Sequence, residues 1–279
     1  MKSARVGVFL SISCAMVLAV AVSGCGRTGS GSQQSLTVTG STTVLPIAEV
    51  AAEDFQSANP GKRVLVAGVG SSAGIESVSN GTSDIGTSSR DLKPEEKSLG
   101  LVDFPIARDA IAVIVNPSNP VTGLTKDQVA RIFAGSITNW NQVGGPDLEI
   151  GLVNRDEASG TREAFSKIVL GKMEFDPTAA VLPGTGQVRA VVAQATGAVG
   201  YISLGFVDRT VKPLAVDGIV PTEVTVADKT YPVSRLLHFF TKGQPTGLTK
   251  AYVDFVLSTK IQDTVVRDAG FLPIASGER

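Results

Sequence analysis

Residues 155–161 (RDEASGT) combine one cation with several hydrogen-bond donors, at a point where an apolar strand is expected to lead into a helix. Arg155 offers a rigid guanidinium fork, which suits a tetrahedral oxyanion. Ser159 and Thr161 add two hydroxyls, and the start of a helix near Gly160 leaves backbone N–H groups free for an anion. The pattern predicts an anion site, although a capped helix beside a surface arginine would have the same residues.

Three strand ends upstream are also followed by polar turns. These turns lie at residues 40–46 (GSTTVLP), 70–74 (GSSAG) and 86–91 (GTSSRD). Ligands of open α/β sheets bind at the carboxyl ends of the strands. We therefore expect the four turns to converge on one small anion.

Hydrophobic patterning predicts the elements that position these turns. Strands are expected at residues 36–39, 63–69, 84–88, 104–117, 148–153, 198–202 and 233–241, with short strand-like pieces in 212–229. Helices are expected at residues 45–55, 71–80, 125–133, 161–170, 187–196, 248–257 and 261–269. The apolar run at 109–117 predicts a buried parallel strand. Small residues are abundant and aromatic residues few, so the sequence indicates an α/β protein.

The amino terminus has the pattern of a bacterial lipoprotein signal. Lys2 and Arg5 precede a mostly apolar segment that ends in VSGC at residues 22–25. We expect residues 1–24 to be a signal peptide, Cys25 to carry lipid, and residues 25–35 to be a flexible tether. An uncleaved membrane anchor is the alternative. The mature chain of about 250 residues exceeds the usual size of one domain, which favours two lobes.

Charge and cysteine content exclude several classes of function. Removal of the two basic signal residues leaves 23 Lys and Arg against 26 Asp and Glu, a formal charge of −3. Because no basic stripe is visible, nucleic acid is not expected as a partner. Cys14 would be lost with the signal, so neither a disulfide within the chain nor a cysteine-based metal site is expected. No metal or other cofactor is predicted.

Three residue patterns also fit other functions. Residues 68–73 match a dinucleotide fingerprint with Asp91 downstream, which alone is a weak signal. Residues 70–74 match a nucleophile elbow, so a serine hydrolase that uses Ser72 and His238 is the main competing hypothesis. His238 lies in a predicted apolar strand, however, and no oxyanion-hole segment of the HGGG type is present. Trp140 could stack on a ligand, but packing is the favoured interpretation.

In combination and in this order, the motifs resemble those of one family. The resemblance rests on residues 40–46, 70–74, 84–90 (DIGTSSR), 132–140 (IFAGSITNW) and 155–161, and it extends from about residue 36 to the carboxyl terminus. The chain resembles the substrate-binding lipoproteins of bacterial phosphate ABC transporters. The resemblance implies a monomeric, non-catalytic receptor for inorganic phosphate, anchored through Cys25 outside the cytoplasmic membrane and serving permease subunits.

The resemblance also implies a type II periplasmic-binding-protein fold, in which two α/β lobes joined by a double-strand hinge close on the ligand. Lobe 1 would comprise residues 36–107 and 232–279, and lobe 2 residues 108–231. The hinge strands would lie near residues 104–108 and 231–233. Sulfate or molybdate receptors share this fold, so the anion stays partly open.

The same resemblance assigns the binding residues. From lobe 1 it implies Ser41, Thr42, Thr43, Val44, Leu45, Ser71 and Ser89, with Arg90 as an alternative cation, and from lobe 2 it implies Arg155, Glu157, Ser159, Gly160 and Thr161. Well-known members have an aspartate in place of Ser89, which accepts the proton of the bound phosphate. They also have Arg-x-Asp, so Glu157 is the expected partner of Arg155. Asp156 or Glu157 could replace this proton acceptor, or the hydroxyls could accept the proton themselves.

Overall fold

The computed structural model describes residues 34–274. The predicted signal peptide, Cys25 and almost all of the predicted tether lie outside these residues. Gln34 and Ser35, which were assigned to the tether, instead begin the first strand. None of the helices in this part of the chain has the length and hydropathy needed to cross a membrane.

Eleven strands are present in the described part of the chain. They are β1 (Gln34–Gly40), β2 (Lys62–Gly68), β3 (Ile85–Ser88), β4 (Leu101–Val115), β5 (Gly123–Leu124), β6 (Gly151–Arg155), β7 (Ala180–Leu182), β8 (Ala198–Ser203), β9 (Lys212–Pro213), β10 (Ala215–Val216) and β11 (Ser234–Lys242). The main sheet has the order β2-β1-β3-β11-β4-β8-β6-β7, with β9 on β4, and β5 pairs with β10 separately.

Eight α-helical segments lie between and after these strands in the described part of the chain. They are α1 (Leu45–Ala58), α2 (Ser71–Ser79), α3 (Lys126–Phe133), α4 (Gly160–Phe165), α5 (Thr185–Gln194), α6 (Glu223–Ala227), α7 (Gly247–Val256) and α8 (Thr259–Ile261). The first α-helical turn of α1 contains Pro46, where the missing N–H costs no hydrogen bond. Thr125 caps α3 in a reciprocal capping box with Gln128. Helix α4 continues through one wider turn, Ser166–Leu170, and α8 through Gln262–Val266.

Strand β4 differs from the predicted parallel strand. It is antiparallel to both of its main neighbours, β11 at residues 101–110 and β8 at residues 111–115. Burial on both faces produced the continuous apolar run, and such burial does not require parallel pairing. The strand predicted from residue 148 begins at Gly151. The short strand-like pieces predicted in residues 212–229 are confirmed as β9 and β10, whereas residues 223–227 of that range form a helix.

The hydrophobic side chains form cores at two ends of the sheet. The first core draws on residues 36–107 and 237–271, and it includes Leu36, Ile106 and Phe271. The second core draws on residues 110–233, and it includes Phe133 and Tyr201. A smaller cluster on the opposite face of β4 contains Ala112 and belongs to the same stretch of sequence. We call the elements on the first core the first half and those on the second core the second half.

Strand β4 passes through both halves of the fold. It changes its partner from β11 to β8 between Ala110 and Ile111, and the Ile111 N–H donates to the carbonyl of Val233 just before β11. This position is a few residues after the hinge predicted at 104–108. The turns that follow β1, β2, β3 and β6 meet beside the point where β4 changes its partner.

Candidate functional site

The four polar turns meet where the two halves face each other. Thr43 in the first half lies 3.1 Å from Thr161 in the second, measured between the hydroxyl oxygens. The backbone N–H of Ser72 donates to the carbonyl of Ala158 at 3.1 Å, again across the halves. Contacts between residues more than 80 positions apart therefore join the turns that the sequence placed at one site.

The turn after β1 is held in shape by hydroxyl groups of its own half. The Ser41 N–H donates to the Thr87 hydroxyl at 2.7 Å, and the Ser41 hydroxyl accepts from the N–H groups of Thr43 and Val44. Ser41 thus supports the turn, whereas Thr42 and Thr43 extend to the second half. Val44 is buried in the first core, and Leu45 begins α1.

The turns after β2 and β3 contact each other through Ser71 and Ser89. Their hydroxyl oxygens are 3.3 Å apart, and the Ser89 N–H donates to the Ser71 hydroxyl at 3.1 Å. Gly70 precedes α2 with a φ of 105°, a left-handed conformation that favours glycine. Both serines are buried, so these hydroxyls form part of an enclosed polar surface.

The turn after β6 approaches that surface from the second half. Ser159 caps α4 by accepting from the N–H of Arg162 at 3.2 Å. A Cβ atom on Gly160 would lie 2.8 Å from the Ser71 Cβ and 2.9 Å from the Ser89 hydroxyl, and closer still to the Ser71 hydroxyl. Glycine is needed here because the backbone of the second half lies directly against two serines of the first.

Arg155 is the cation at the centre of this arrangement, and it is 2% exposed. Its guanidinium donates to the carbonyls of Leu182 and Pro183 at 3.1 and 2.9 Å, and to the hydroxyls of Thr185 and Thr42 at 3.2 and 3.3 Å. None of these acceptors is a carboxylate. Burial lowers the pKa of Arg155, only partly countered by the nearby charge of Asp156. An anion at this place would relieve the cost of burying that charge.

Thr185 is a site residue that the sequence analysis missed. It begins α5, is 1% exposed, and its hydroxyl lies 3.3 Å from that of Thr42 and within hydrogen-bond distance of Arg155. A signal was available, because residues 183–185 (PGT) follow strand β7 and open a helix, as the turns after β1, β2 and β6 do. The strand is only three residues long, which explains why the pattern was not recognised.

Two predicted residues lie outside the cluster. Arg90 turns away and pairs with Glu96 and Glu163, at 2.6 and 2.8 Å. Glu157 is exposed, and the prediction that it partners Arg155 is wrong because the guanidinium is satisfied by carbonyls and threonine hydroxyls. Asp156 retains one buried carboxylate oxygen without a hydrogen-bond partner within residues 34–274.

A buried ion pair between β11 and β4 holds the turn that carries Ser89. Arg235 in β11 donates to Asp109 in β4 through two nitrogens, at 2.9 and 3.1 Å, and to the carbonyl of Ser89 at 3.0 Å. Asp109 also accepts from the Ser203 hydroxyl in the second half at 2.8 Å. The signal for this pair was a charged residue beside the most apolar stretch of each strand, Asp109 before residues 110–115 and Arg235 before residues 236–237.

The residues required for hydrolysis are not arranged as a catalytic pair. The His238 ring nitrogens face Asp103 at 2.8 Å and Asp91 at 3.5 Å, and the ring stacks on Phe240. The Ser72 hydroxyl accepts from Arg90 at 3.4 Å.

Trp140 is fully buried and donates to the carbonyl of Gly197, which confirms the packing interpretation. Within residues 34–274, no three His, Cys, Asp or Glu side chains group closely enough to hold a metal ion.

Sequence comparison identifies relatives over nearly the whole chain. The model of a PBP superfamily domain matches residues 26–260. The phosphate-binding protein PstS of Bacillus subtilis is 34% identical over 293 aligned residues, which cover 98% of this chain and 95% of that protein. The PstS of Borreliella burgdorferi is 32% identical and covers 87% of this chain and 91% of its own length.

Solved structures agree with these relatives. One, described as a phosphate ABC transporter substrate-binding protein from Clostridium perfringens with bound phosphate, has a TM-score of 0.83 and 38% identity. A second, an ABC-type phosphate transport receptor from Vibrio cholerae, has a TM-score of 0.74 and 35% identity. They cover 87% and 86% of this chain, and each is covered completely. The chain therefore belongs to the PBP superfamily and, within it, to the family of PstS phosphate-binding proteins.

Proposed function

We propose that this protein is an extracytoplasmic receptor that binds inorganic phosphate between two lobes and delivers it to the permease of an ABC transporter. The observation that carries the proposal is the buried lining of the site, in which hydroxyls and Arg155 converge without a carboxylate on the arginine. Binding replaces the hydration of a small dianion with fixed donors. The PstS relatives and the phosphate-bound structure support phosphate as this dianion.

We assign anion binding to residues from both halves. They are Ser41, Thr42, Thr43, Val44 and Leu45 of the first turn, Ser71, Ser89, and Arg155, Ser159, Gly160 and Thr161, to which we add Thr185. The hydrogen bonds between Thr42, Thr43, Thr161 and Thr185 support the grouping. Arg90 is left out because its guanidinium pairs with Glu96 and Glu163. Glu157 is left out because its side chain is exposed.

The separate cores support a division into two lobes, with residues 36–107 and 232–279 in the first and 108–231 in the second, except that Val233 packs in the second core. Closure of these lobes would exclude water from the anion. The lipoprotein pattern at residues 22–25 supports attachment through lipid on Cys25 at the outer face of a bacterial membrane, where a monomer would meet its permease.

Titration of purified, ligand-stripped protein with phosphate, sulfate and molybdate tests the proposal. We expect saturable binding of phosphate with a Kd in the micromolar range or tighter, roughly −8 kcal/mol or better. Equal affinity for sulfate would contradict the phosphate assignment. Ester hydrolysis that disappears in both Ser72→Ala and His238→Ala would instead establish the hydrolase.

A receptor for another tetrahedral oxyanion is the second candidate, and Ser89 favours it. A serine hydroxyl donates as well as accepts hydrogen bonds, so it tolerates fully deprotonated sulfate better than a carboxylate does. We therefore expect phosphate preference with a smaller margin over sulfate than a site with an aspartate at this position would have.

A further inference from the structure

Charged side chains connect the two halves beside the anion site. Arg90 and Lys93 follow β3 in the first half, while Glu163 lies in α4 of the second half. The Glu163 Oε2 atom lies 2.8 Å from Arg90 Nε and 3.2 Å from Lys93 Nζ. These ion pairs therefore cross the same boundary as the contacts between the binding turns.

The residues of these ion pairs are close in sequence to the binding turns but do not belong to the anion site. Arg90 is adjacent in sequence to Ser89, and Glu163 lies two residues after Thr161. The three charged side chains line a cavity of about 440 Å³, and Ala164 and Ile168 of the second half also line it. Separation of the halves would expose this cavity and break the pairs.

Arg90 is held in place by its own half. Glu96 accepts from both terminal nitrogens, at 2.6 and 2.8 Å, and the carbonyl of Asp91 accepts at 2.9 Å. Arg90 is 4% exposed and Glu96 is 15% exposed, and the Glu96 and Asp91 contacts lie within the first half, so they orient the cation without any contribution from Glu163. Glu163 is 33% exposed and so keeps part of its hydration, and the orientation of Arg90 by its own half reduces the ordering cost that usually offsets an ion pair.

We propose that Glu163, with Arg90 and Lys93, forms an electrostatic latch that stabilises the closed receptor and slows the release of bound phosphate. The proposal rests on the proposed function, because it describes the closure of that same site. Arg90 and Glu163 are positioning residues, and neither needs to touch the anion. The latch acts on the equilibrium between open and closed states, so its loss increases the dissociation rate more than it decreases the association rate.

Glu163→Gln keeps the size of the side chain and removes its charge. We expect the dissociation rate of phosphate, measured by stopped flow, to rise about fivefold, the factor that corresponds to about 0.95 kcal/mol at 25 °C. Glu174→Gln is the matched control, since Glu174 is an exposed acid of the second half for which no ion pair occurs within residues 34–274. We expect it to release phosphate at the wild-type rate.

Lys93→Gln tests the link from the other half, and it spares the buried Arg90. We expect Lys93→Gln and Glu163→Gln to be non-additive in the dissociation rate, because they remove the same contact. A dissociation rate in Glu163→Gln within twofold of that in Glu174→Gln would overturn the latch. So would full additivity with Lys93→Gln, or a changed association rate alone. Failure of the wild-type protein to bind phosphate would instead overturn the proposed function.

Discussion

Arg155 differs from the other buried arginines in the groups that it contacts. Arg90 and Arg235 are each paired with carboxylates, at 2.6 and 2.9 Å. Arg155 donates only to neutral oxygens, and burial lowers its pKa. Its positive charge is therefore left to be compensated by a ligand. This explains how a chain with an acidic formal charge can attract an anion at one point.

Replacement of Arg155 by alanine should remove the only cation that lies among the binding hydroxyls of residues 34–274. We expect phosphate binding to weaken by about 2–4 kcal/mol, because charge-assisted hydrogen bonds are lost in a desolvated site. Isothermal titration calorimetry measures the loss. Arg90→Ala is the comparison, and a larger loss in that variant would show that Arg90 is the binding cation.

Ser89 is the residue on which discrimination against sulfate is expected to depend. Its hydroxyl is buried 3.3 Å from that of Ser71 and carries no charge. Ser89→Asp would add a carboxylate that accepts the proton of phosphate and repels sulfate. We expect sulfate binding to weaken and phosphate binding to stay within about tenfold, roughly 1.4 kcal/mol.

Competition titrations between pH 6 and 8 test the role of Ser89. If the wild-type protein already excludes sulfate completely, a carboxylate must lie elsewhere. Asp156 would then be the first residue to replace, because one of its oxygens is buried without a hydrogen-bond partner within residues 34–274.

Strand β11 carries a charged cluster at the element scale. His238 lies 2.8 Å from Asp103 of β4 and 3.5 Å from Asp91 after β3. Burial opposes the charged ring, but the two carboxylates outweigh it and raise the pKa of His238 above its ordinary 6.5. Hydrogen bonding to His238 likewise lowers the pKa of Asp91. His238 of β11 therefore lies between acidic side chains of β4 and of the turn after β3.

The stability of the protein should depend on pH through His238. A raised pKa in the folded state contributes stability that is fully present below pH 6.5 and is lost as the pH rises through the folded value. We expect the free energy of unfolding, from urea denaturation, to fall across that range in the wild-type protein. His238→Gln should flatten the dependence, and an unchanged slope in that variant would assign it to other groups.

Elements and site were predictable to different degrees. The turns at Ser41, Ser71 and Ser89 and the helix N-terminus at Gly160 follow local rules of capping and turn formation, so the sequence specified them. The pairing of β4 was not predictable, because a strand buried on both faces is apolar in parallel and antiparallel sheets alike. Thr185 and the pairing of Arg90 with Glu163 depend on contacts between distant segments, which local patterns do not encode.

At the scale of the whole molecule, one long strand joins two cores. Strand β4 pairs with β11 in the first half and with β8 in the second, and the Arg235–Asp109 pair lies where it changes partner. This pair connects the carbonyl of Ser89 to the hydroxyl of Ser203, and hence the binding turns of one half to the sheet of the other. The binding turns are therefore linked to the point where β4 changes its partner.

Gly160→Ala should weaken phosphate binding without lowering the stability of the fold. The added Cβ would meet Ser71 and Ser89 across the boundary, at 2.8 Å from the Ser71 Cβ and 2.9 Å from the Ser89 hydroxyl. These atoms belong to the opposite half, so the conflict arises only when the halves are closed. Alanine also favours the first turn of α4. We expect an unchanged or higher melting temperature without phosphate and a phosphate affinity reduced by tenfold or more, about 1.4 kcal/mol.

Gly186→Ala is the matched control for this prediction, because Gly186 also lies in the first turn of a helix and a Cβ there meets no atom within 4 Å. It should bind phosphate as the wild-type protein does. Small-angle scattering adds the structural measurement. Phosphate should decrease the radius of gyration of the wild-type protein and of Gly186→Ala. The decrease should be much smaller in Gly160→Ala, because its halves cannot approach each other fully. Wild-type affinity and compaction in Gly160→Ala would show that the contact of Gly160 with the two serines is not required for closure.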